Sequence, residues 1–130
     1  MPVTVKRPRP ASKGRKSSRR LRTPVNELRT ARQRYGLSQT LVARLLEVSL
    51  RTVSAAESHS AVPPRLRRNL TQLIRLCQAL AQAIEAAFVG RWLDEPNELL
   101  NNLKPLEAIE RGQIDLVWQV AEGLRSGSPL

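Results

Sequence analysis

The chain has 130 residues, which is enough for one compact domain or two small helical units and short for an enzyme that encloses a large pocket. Its 22 Lys and Arg residues exceed its 11 Asp and Glu residues, and the net charge of +11 favours phosphate polymers or acidic proteins as partners. A single cysteine and a single histidine cannot form an internal disulfide or a zinc site of about four ligands, so we expect no metal and no cofactor. No apolar run approaches the roughly 18 residues of a membrane span, so we expect a cytoplasmic protein without a membrane partner.

The sign of the charge changes along the chain. Residues 1–22 hold nine basic residues, no acidic residue and three prolines, and they are predicted to be a disordered tail because they cannot bury enough apolar surface. From Leu28 to Arg75 nine basic residues face two acidic ones, whereas from Leu76 to Leu130 four basic residues face eight acidic ones. A basic module followed by an acidic module predicts two partners of different charge.

Residues 23–62 predict three short helices. Pro24 opens the first, and Ser38 and Ser49 can cap the second and third because each hydroxyl accepts a hydrogen bond from an unpaired backbone N–H. The inward positions of the second and third helices are apolar: Val42, Leu46, Val48, Val53 and Ala56. This spacing is typical of a helix-turn-helix, and it also occurs in helical domains that bind no nucleic acid.

The exposed side of the third predicted helix holds the candidate reader of DNA bases. Arg51 suits bidentate contact with guanine, and its alternative interpretation is a solvated surface charge. Hydroxyls, amides and backbone N–H groups around it can meet phosphate oxygens. The further candidate DNA-binding residues are Ser38, Gln39, Thr40, Ser49, Leu50, Thr52 and Ser54. His59 is predicted to be a loop residue without a catalytic or ligand role.

Residues 63–90 predict one long connecting helix of about six turns. Its apolar seam recurs every three or four residues: Leu66, Leu70, Leu73, Cys77, Leu80, Ile84 and Ala87. The seam could join two copies of the chain, or it could pack against neighbouring helices of its own chain. A homodimer is expected independently, because one helix-turn-helix reads few bases and two copies double the site.

Residues 91–130 predict a small helical domain. Short helices are expected to start at 96–97 and at 104–105, and an amphipathic helix is expected from about Gln113 to Arg125. By their chemistry alone, Trp92 and Trp118 are anchors of a helical core.

The stretch LRTARQRYGLSQTLVARLLEVSLRTVSAAE resembles the Xre-type helix-turn-helix family in its LSQ opening, Ala43, its Val48–Ser49 pair and its TVS. The family commonly has glycine in the turn where this chain has Glu47. Either the turn is rebuilt, or the chain carries roughly 1 kcal/mol of local strain.

The stretch WLDEPNELLNNLKPLEAIERGQIDLVWQVAEGLRSG resembles the toxin-binding domain of the Xre/MbcA/ParS antitoxins, with its Trp-Leu, Pro-Asn, Pro-Leu-Glu, Gly and closing helix in the family's order. The resemblance covers residues 25–130. Asn101 and Asn102 stand where the family often has Gly-Gly. The implied toxin-binding residues are Trp92, Leu93, Pro96, Asn97, Arg111, Trp118 and Arg125.

The resemblance implies an all-α antitoxin of a type II toxin-antitoxin system. Its N-terminal half would repress its own operon through operator DNA, and its C-terminal half would cover a RES-domain toxin that consumes NAD, within a larger complex. Truncation after Gly112 is then expected to abolish neutralisation and to leave a dimeric DNA-binding fragment.

An enzyme is not expected, because Cys77 lies on an apolar seam and no Gly-rich phosphate loop follows a strand. The alternative is a stand-alone helix-turn-helix regulator whose C-terminal half serves dimerisation, and an RNA-associated protein is the third possibility. A neighbouring gene for an NAD-consuming toxin would favour the antitoxin.

Overall fold

The computed structural model describes residues 24–58 and 62–127, and within them the chain forms helices and no strand. The predicted disordered tail, residues 1–22, and His59 lie outside the described residues. The α-helices are α1 (Pro24–Arg34), α2 (Gln39–Leu46), α3 (Leu50–Ser58), α4 (Pro64–Leu80), α5 (Val89–Leu93), α6 (Pro105–Glu110) and α7 (Ile114–Ser126), with short 3₁₀ helices at Ala86–Phe88 and Glu98–Leu100. The predicted all-α class is confirmed, and no described helix is long and apolar enough to cross a membrane.

The caps predicted for α2 and α3 are present. The backbone N–H of Leu41 donates to Ser38 Oγ at 3.0 Å, and that of Thr52 donates to Ser49 Oγ at 3.0 Å. Each bond satisfies one of the N–H groups that a helix start leaves unpaired. Four of the predicted inward residues are buried and the fifth, Val48, is half-buried. The sequence therefore placed the three helices and their inner faces correctly.

The turn between α2 and α3 keeps the left-handed backbone that glycine favours. Glu47 has φ 58° and ψ 46°, and the N–H of Val48 donates to the carbonyl of Ala43 at 3.0 Å. This bond closes the end of α2 in the same way as a Schellman motif. Of the two alternatives for Glu47, the structure has the strained turn, at a cost of about 1 kcal/mol.

The apolar seam of α4 is buried inside its own chain. Leu66, Leu70 and Leu73 are 2%, 2% and 8% exposed, and Cys77 and Leu80 are fully buried. Helices α1, α2 and α7 pack against α4. These five seam residues therefore pack within the chain, which is the second of the two alternatives, whereas Ile84 is half-buried and Ala87 is exposed.

The long helix also ends earlier than the sequence predicts. It stops at Leu80, and the chain turns through residues 81–85 before the 3₁₀ helix that leads into α5. Residues 81–83 are Ala-Gln-Ala, which are good helix formers, so local preference does not end the helix. The turn brings Gly90 against α1, where its N–H donates to the carbonyl of Tyr35 at 2.8 Å.

The acidic half of the chain, which is the part of the acidic module that the structure describes, residues 76–127, forms the short helices that the sequence predicts. Asn97 caps the 3₁₀ helix by accepting the N–H of Leu99 at 2.9 Å, and α6 opens at Pro105. Asn101 and Asn102, at the Gly-Gly positions, both adopt left-handed backbone with φ 58° and 66°. Asparagine tolerates this conformation better than most residues, so the loop keeps its shape without glycine.

One hydrophobic core joins the two halves of the chain. It runs from Leu28 on α1 to Ala121 on α7. Glycines allow the closest approach, since a Cβ built on Gly90 would lie 2.1 Å from the carbonyl oxygen of Gly36. The expectation that a fragment ending at Gly112 stays folded therefore conflicts with the structure, because α7 supplies part of the core that α4 needs.

Candidate functional site

The candidate DNA-binding residues of α3 share one exposed face. A shallow groove there is lined by Gln39, Leu50, Arg51, Ser54, Ala55 and Ser58. Leu50 is 49% exposed, which is unusual for a large apolar side chain and leaves it open to a partner. The structure thus brings Gln39 at the start of α2 next to the outward residues of α3. We call this surface the α3 face.

The other candidate DNA-binding residues lie at the starts of the two helices. Ser38, Thr40 and Ser49 are exposed, and Thr52 is half-buried. Ser38 and Ser49 also cap their helices, and Ser49 Oγ lies 2.9 Å from Thr52 Oγ1. Their hydroxyl oxygens are therefore used within the chain, and their hydrogens and the first backbone N–H groups are what they can offer to phosphates.

A buried carboxylate fixes the position of α3. Glu57 has a side chain that is only 3% exposed, and it accepts hydrogen bonds from Arg32 Nε at 2.6 Å, Arg32 Nη2 at 3.0 Å and Gln39 Nε2 at 3.2 Å. These bonds join α1, α2 and α3 at one point. Glu57 is thus a positioning residue for the α3 face, and Gln39 belongs to both.

Neither Arg32 nor Glu57 was among the residues predicted to have a role. A signal was present, because a carboxylate near the C-terminus of a helix opposes the helix dipole and calls for a compensating partner. The partner lies on another helix, 25 residues away in sequence, so periodicity within one helix could not identify it.

The environment of Glu57 changes its ionisation. Burial by itself raises the pKa of Glu57, but hydrogen bonds from Arg32 and Gln39 and the charges of Arg32 and Arg29 outweigh burial and hold the pKa below its ordinary value of 4.5. The hydrogen bond from Glu57 in turn raises the pKa of Arg32. The pair is therefore ionised in the folded state at neutral pH.

We expect Glu57→Gln to lower the free energy of unfolding by about 1–3 kcal/mol near pH 7, because Arg32 loses its charged partner. Since the folded pKa is depressed, the carboxylate stabilises the fold above pH 4.5 and this contribution is lost as the pH falls through the folded pKa. Urea unfolding at several pH values should therefore show the wild-type and Glu57→Gln curves converging in acid. A difference that does not depend on pH would contradict this role.

Glu110→Gln is the matched control for that measurement. Arg44 on α2 holds Glu110 on α6 by two bonds of 2.8 and 2.9 Å, and this pair is largely exposed to solvent. Exposed ion pairs contribute at most about 1 kcal/mol and are screened by salt. Glu110→Gln should therefore lower the free energy of unfolding by less than Glu57→Gln does.

The candidate toxin-binding residues do not form one surface of free side chains. Leu93 is fully buried in the core, so it cannot contact a partner, and the role predicted for it is wrong. Trp92 and Trp118 are half-buried against the core, as expected for anchors of a helical bundle. Pro96 is exposed, and Asn97 is half-buried and occupied as a cap.

The two candidate arginines remain accessible. Arg111 is exposed directly after α6. Arg125 is exposed on the last turn of α7, where it pairs with Glu122 and donates to Gln82 Oε1 at 3.4 Å. A partner could reach both guanidinium groups, although at Arg125 it would compete with Glu122.

Four large apolar side chains of the acidic half are exposed, and the sequence did not predict them as surface residues. Phe88, Leu99, Leu116 and Leu124 are 48%, 54%, 41% and 40% exposed. Apart from Leu50, these are the exposed large hydrophobic residues of the described chain. The spacing of apolar residues along the sequence could not predict their exposure, because whether a side chain at the edge of an apolar stripe is covered depends on the neighbouring helices.

The described residues provide no metal centre and no activated thiol. No group of three His, Cys, Asp or Glu side chains in residues 24–58 and 62–127 could hold a metal ion. Burial raises the pKa of the Cys77 thiol to about 12, so Cys77 is protonated and packs as a small apolar residue.

Within residues 24–58 and 62–127 the geometry thus defines an all-helical protein with the α3 face in its basic half and four exposed large apolar side chains in its acidic half. No protein-family model matches the chain. It is 28% identical over 96 residues to the mycobacterial cidal antitoxin MbcA of Mycobacterium tuberculosis, covering 73% of this chain and 85% of MbcA. It is 29% identical over 104 residues to the probable mycobacterial cidal antitoxin Rv3188 of the same species, covering 80% of this chain and 90% of that protein.

The fold agrees with these sequence similarities. A chain of the crystal structure of the M. tuberculosis MbcT-MbcA toxin-antitoxin complex superposes with a TM-score of 0.66 at 25% identity, covering 82% of this chain and 96% of that chain. Sequence and fold together support an antitoxin of the MbcA type.

Proposed function

We propose that the protein is the antitoxin of a type II toxin-antitoxin system that binds and neutralises a RES-domain, NAD-consuming toxin and represses its own operon. The proposal rests mainly on the fold, because the superposition with a chain of the MbcT-MbcA toxin-antitoxin complex covers 96% of that chain. The RES class and the use of NAD rest on the family resemblance of residues 91–130. On this proposal the protein is a regulator and not a catalyst.

The acidic half is the proposed toxin-binding part. It contains four of the five exposed large hydrophobic residues found in residues 24–58 and 62–127, and exposed apolar side chains are candidates for contact with a protein partner. Arg111 and Arg125 add two accessible guanidinium groups. Arginine can hold phosphate groups bidentately, so Arg125 is the proposed plug for the position that a phosphate of NAD would occupy in the toxin.

We expect the double substitution Arg111→Ala and Arg125→Ala to weaken binding of the cognate toxin by about 2 kcal/mol or more, roughly thirtyfold in Kd, if these residues are central to the interface. The measurements are growth rescue and cellular NAD in a strain that co-expresses the neighbouring toxin gene, with calorimetry on the purified complex. Lys104→Ala is the control, since Lys104 lies in the same half and its ammonium group pairs with Asp94 at 3.2 Å. Equal rescue by the double variant and the control would remove both arginines from the interface.

The α3 face is the proposed operator-binding surface. Gln39, Arg51 and Ser54 lie together on it, and Glu57 holds α3 in place from behind. Two copies of the chain are proposed to bind a palindromic site, because one α3 reads few bases. The stand-alone regulator stays the alternative function, and it differs in predicting no toxin partner.

We expect Arg51→Ala to weaken binding to the operator by about 1–3 kcal/mol and binding to random duplex DNA much less, because the bidentate pairing with guanine exists only at the specific site. Fluorescence anisotropy with both duplexes at one salt concentration measures this. Equal losses on the two duplexes would mean that Arg51 contacts phosphate only.

A further inference from the structure

Helix α4 carries arginines on its outward side and no acidic residue. Its sequence PRLRRNLTQLIRLCQAL contains neither Asp nor Glu. Arg67, Arg68 and Arg75 are exposed, whereas the leucines of the same helix are buried. We call these three arginines the α4 basic face. It is separate from the α3 face, which no residue of α4 lines.

The arginines of the α4 basic face lack the carboxylate partners that several other arginines in the described chain have. None of the three lies in an ion pair with a described acidic residue. By contrast, five arginines on other helices are paired: Arg29 and Arg32 with Glu57, Arg44 with Glu110, Arg91 with Glu95 and Arg125 with Glu122. Within residues 24–58 and 62–127, the guanidinium donors of Arg67, Arg68 and Arg75 are therefore left to solvent or to a partner.

One of these charges also opposes the dipole of its own helix. Arg67 lies at the end of the first turn of α4, where negative charge is stabilising and positive charge is not. Two other helices follow the rule: α1 has Glu27 in its first turn and Arg32 and Arg34 in its last, and α7 has Asp115 in its first turn and Arg125 in its last. A sequence that breaks a local rule without a compensating contact in the chain marks a candidate functional surface.

The spacing of the charges suits a phosphate polymer. Arg68 and Arg75 are two helical turns apart, about 10 Å along the axis, so their guanidinium groups are far enough apart to contact two different phosphates of one duplex. Five residues separate the end of α3 at Ser58 from Pro64, so the start of α4 lies at most about 20 Å from the end of the helix that carries the α3 face.

We propose that the α4 basic face is a second, sequence-independent phosphate-binding surface for duplex DNA, used together with the α3 face. The inference rests on the proposed binding of operator DNA. Nucleic acid fits better than an acidic protein, because the face lies in the basic half of the chain and follows α3 directly in sequence. Its contacts position the chain on DNA and carry no base preference.

The test is the salt dependence of DNA binding by the full chain with Arg68→Gln and Arg75→Gln. Removing one phosphate contact lowers the slope of log K against log salt by about 0.9, so the double variant should show a slope smaller by roughly 2. Affinity should fall by the same factor for operator and for random duplex, and the preferred sequence should not change. The matched control is Arg91→Gln with Lys104→Gln, which removes two exposed cations from the acidic half.

The possible outcomes separate this inference from the proposed function. A slope that falls by the same amount in the control would assign the effect to net charge and overturn the α4 basic face. An unchanged slope in the double variant, with Arg51→Ala still losing operator affinity, would overturn only this inference. A double variant that binds DNA normally and loses the toxin would assign the face to the protein partner. A wild-type chain that binds no duplex DNA would refute both proposals.

Thermal unfolding of both double variants shows whether the fold is intact. Arg68 and Arg75 are exposed and form no ion pair with a described acidic residue, so Arg68→Gln with Arg75→Gln should melt close to the wild-type temperature. A lowered slope in a variant that melts normally supports a binding role, since a purely structural role would change Tm and not the slope.

Discussion

Truncation after Gly112 is expected to unfold most of the chain and not to separate the two proposed activities. The truncation removes α7, whose Val117, Val120 and Ala121 are 0–2% exposed in the shared core. Burial of each valine contributes about 1.5–3 kcal/mol, and the α4 side chains under α7 would also become exposed to water. Together these losses approach the roughly 5–15 kcal/mol that stabilise a typical domain.

Circular dichroism and urea unfolding of the truncated protein measure this effect directly. We expect loss of the cooperative transition together with loss of operator binding and of toxin neutralisation. A cooperative unfolding transition and wild-type operator affinity in the truncated protein would show that residues 24–112 fold by themselves. The two proposed activities are therefore better separated by exposed substitutions: Arg51→Ala on α3, and Arg111→Ala with Arg125→Ala in the acidic half.

Gly90→Ala is expected to destabilise the chain by about 3 kcal/mol, the largest effect we expect from adding one methyl group. A Cβ at this position would lie 2.1 Å from the carbonyl oxygen of Gly36, 2.7 Å from its carbonyl carbon and 3.2 Å from the backbone nitrogen of Leu37. These neighbours are backbone atoms, so no side-chain rotation can relieve the overlap. The junction between α1 and α5 would have to open, and the hydrogen bond from Gly90 to Tyr35 would be lost.

Gly112→Ala is the matched control for Gly90→Ala. Gly112 has φ 81°, and a Cβ there would meet no atom within 4 Å. Its cost should therefore be only the left-handed backbone strain of about 1 kcal/mol. The measurement is the free energy of unfolding of both variants in urea, and similar values for the two would mean that the α1–α5 junction yields easily.

The two proposed binding surfaces lie on helices that share one core. Arg44 on α2 and Glu110 on α6 also form an ion pair across 66 residues of sequence, and Gln39 of the α3 face lies on α2. Substitutions at Arg44 should for this reason be assayed for both proposed activities.

Much of the local structure followed from the residues. Ser38 and Ser49 cap helices where the sequence places them, because a side-chain oxygen beside an unpaired N–H is a local interaction. The inner faces of α2 and α3 followed from apolar periodicity, and the grouping of Leu50, Arg51 and Ser54 on one face followed from helix geometry. The binding roles of those residues stay predictions.

The tertiary structure decided what depends on contacts between distant segments. Periodicity alone could not tell whether the α4 seam faces a second copy or the same chain, and α7 covers it. No local signal ends α4 at Leu80, since the following Ala-Gln-Ala would continue a helix. The turn that replaces it is accompanied by a tertiary contact, the hydrogen bond from the N–H of Gly90 to the carbonyl of Tyr35. Burial of Leu93, exposure of Leu116 and Leu124, and the pairing of Glu57 with Arg32 likewise depend on which helices lie alongside. The residue types along the chain therefore determined most helices, the caps of α2 and α3 and their inner faces. Packing between helices determined which surfaces remain exposed to partners.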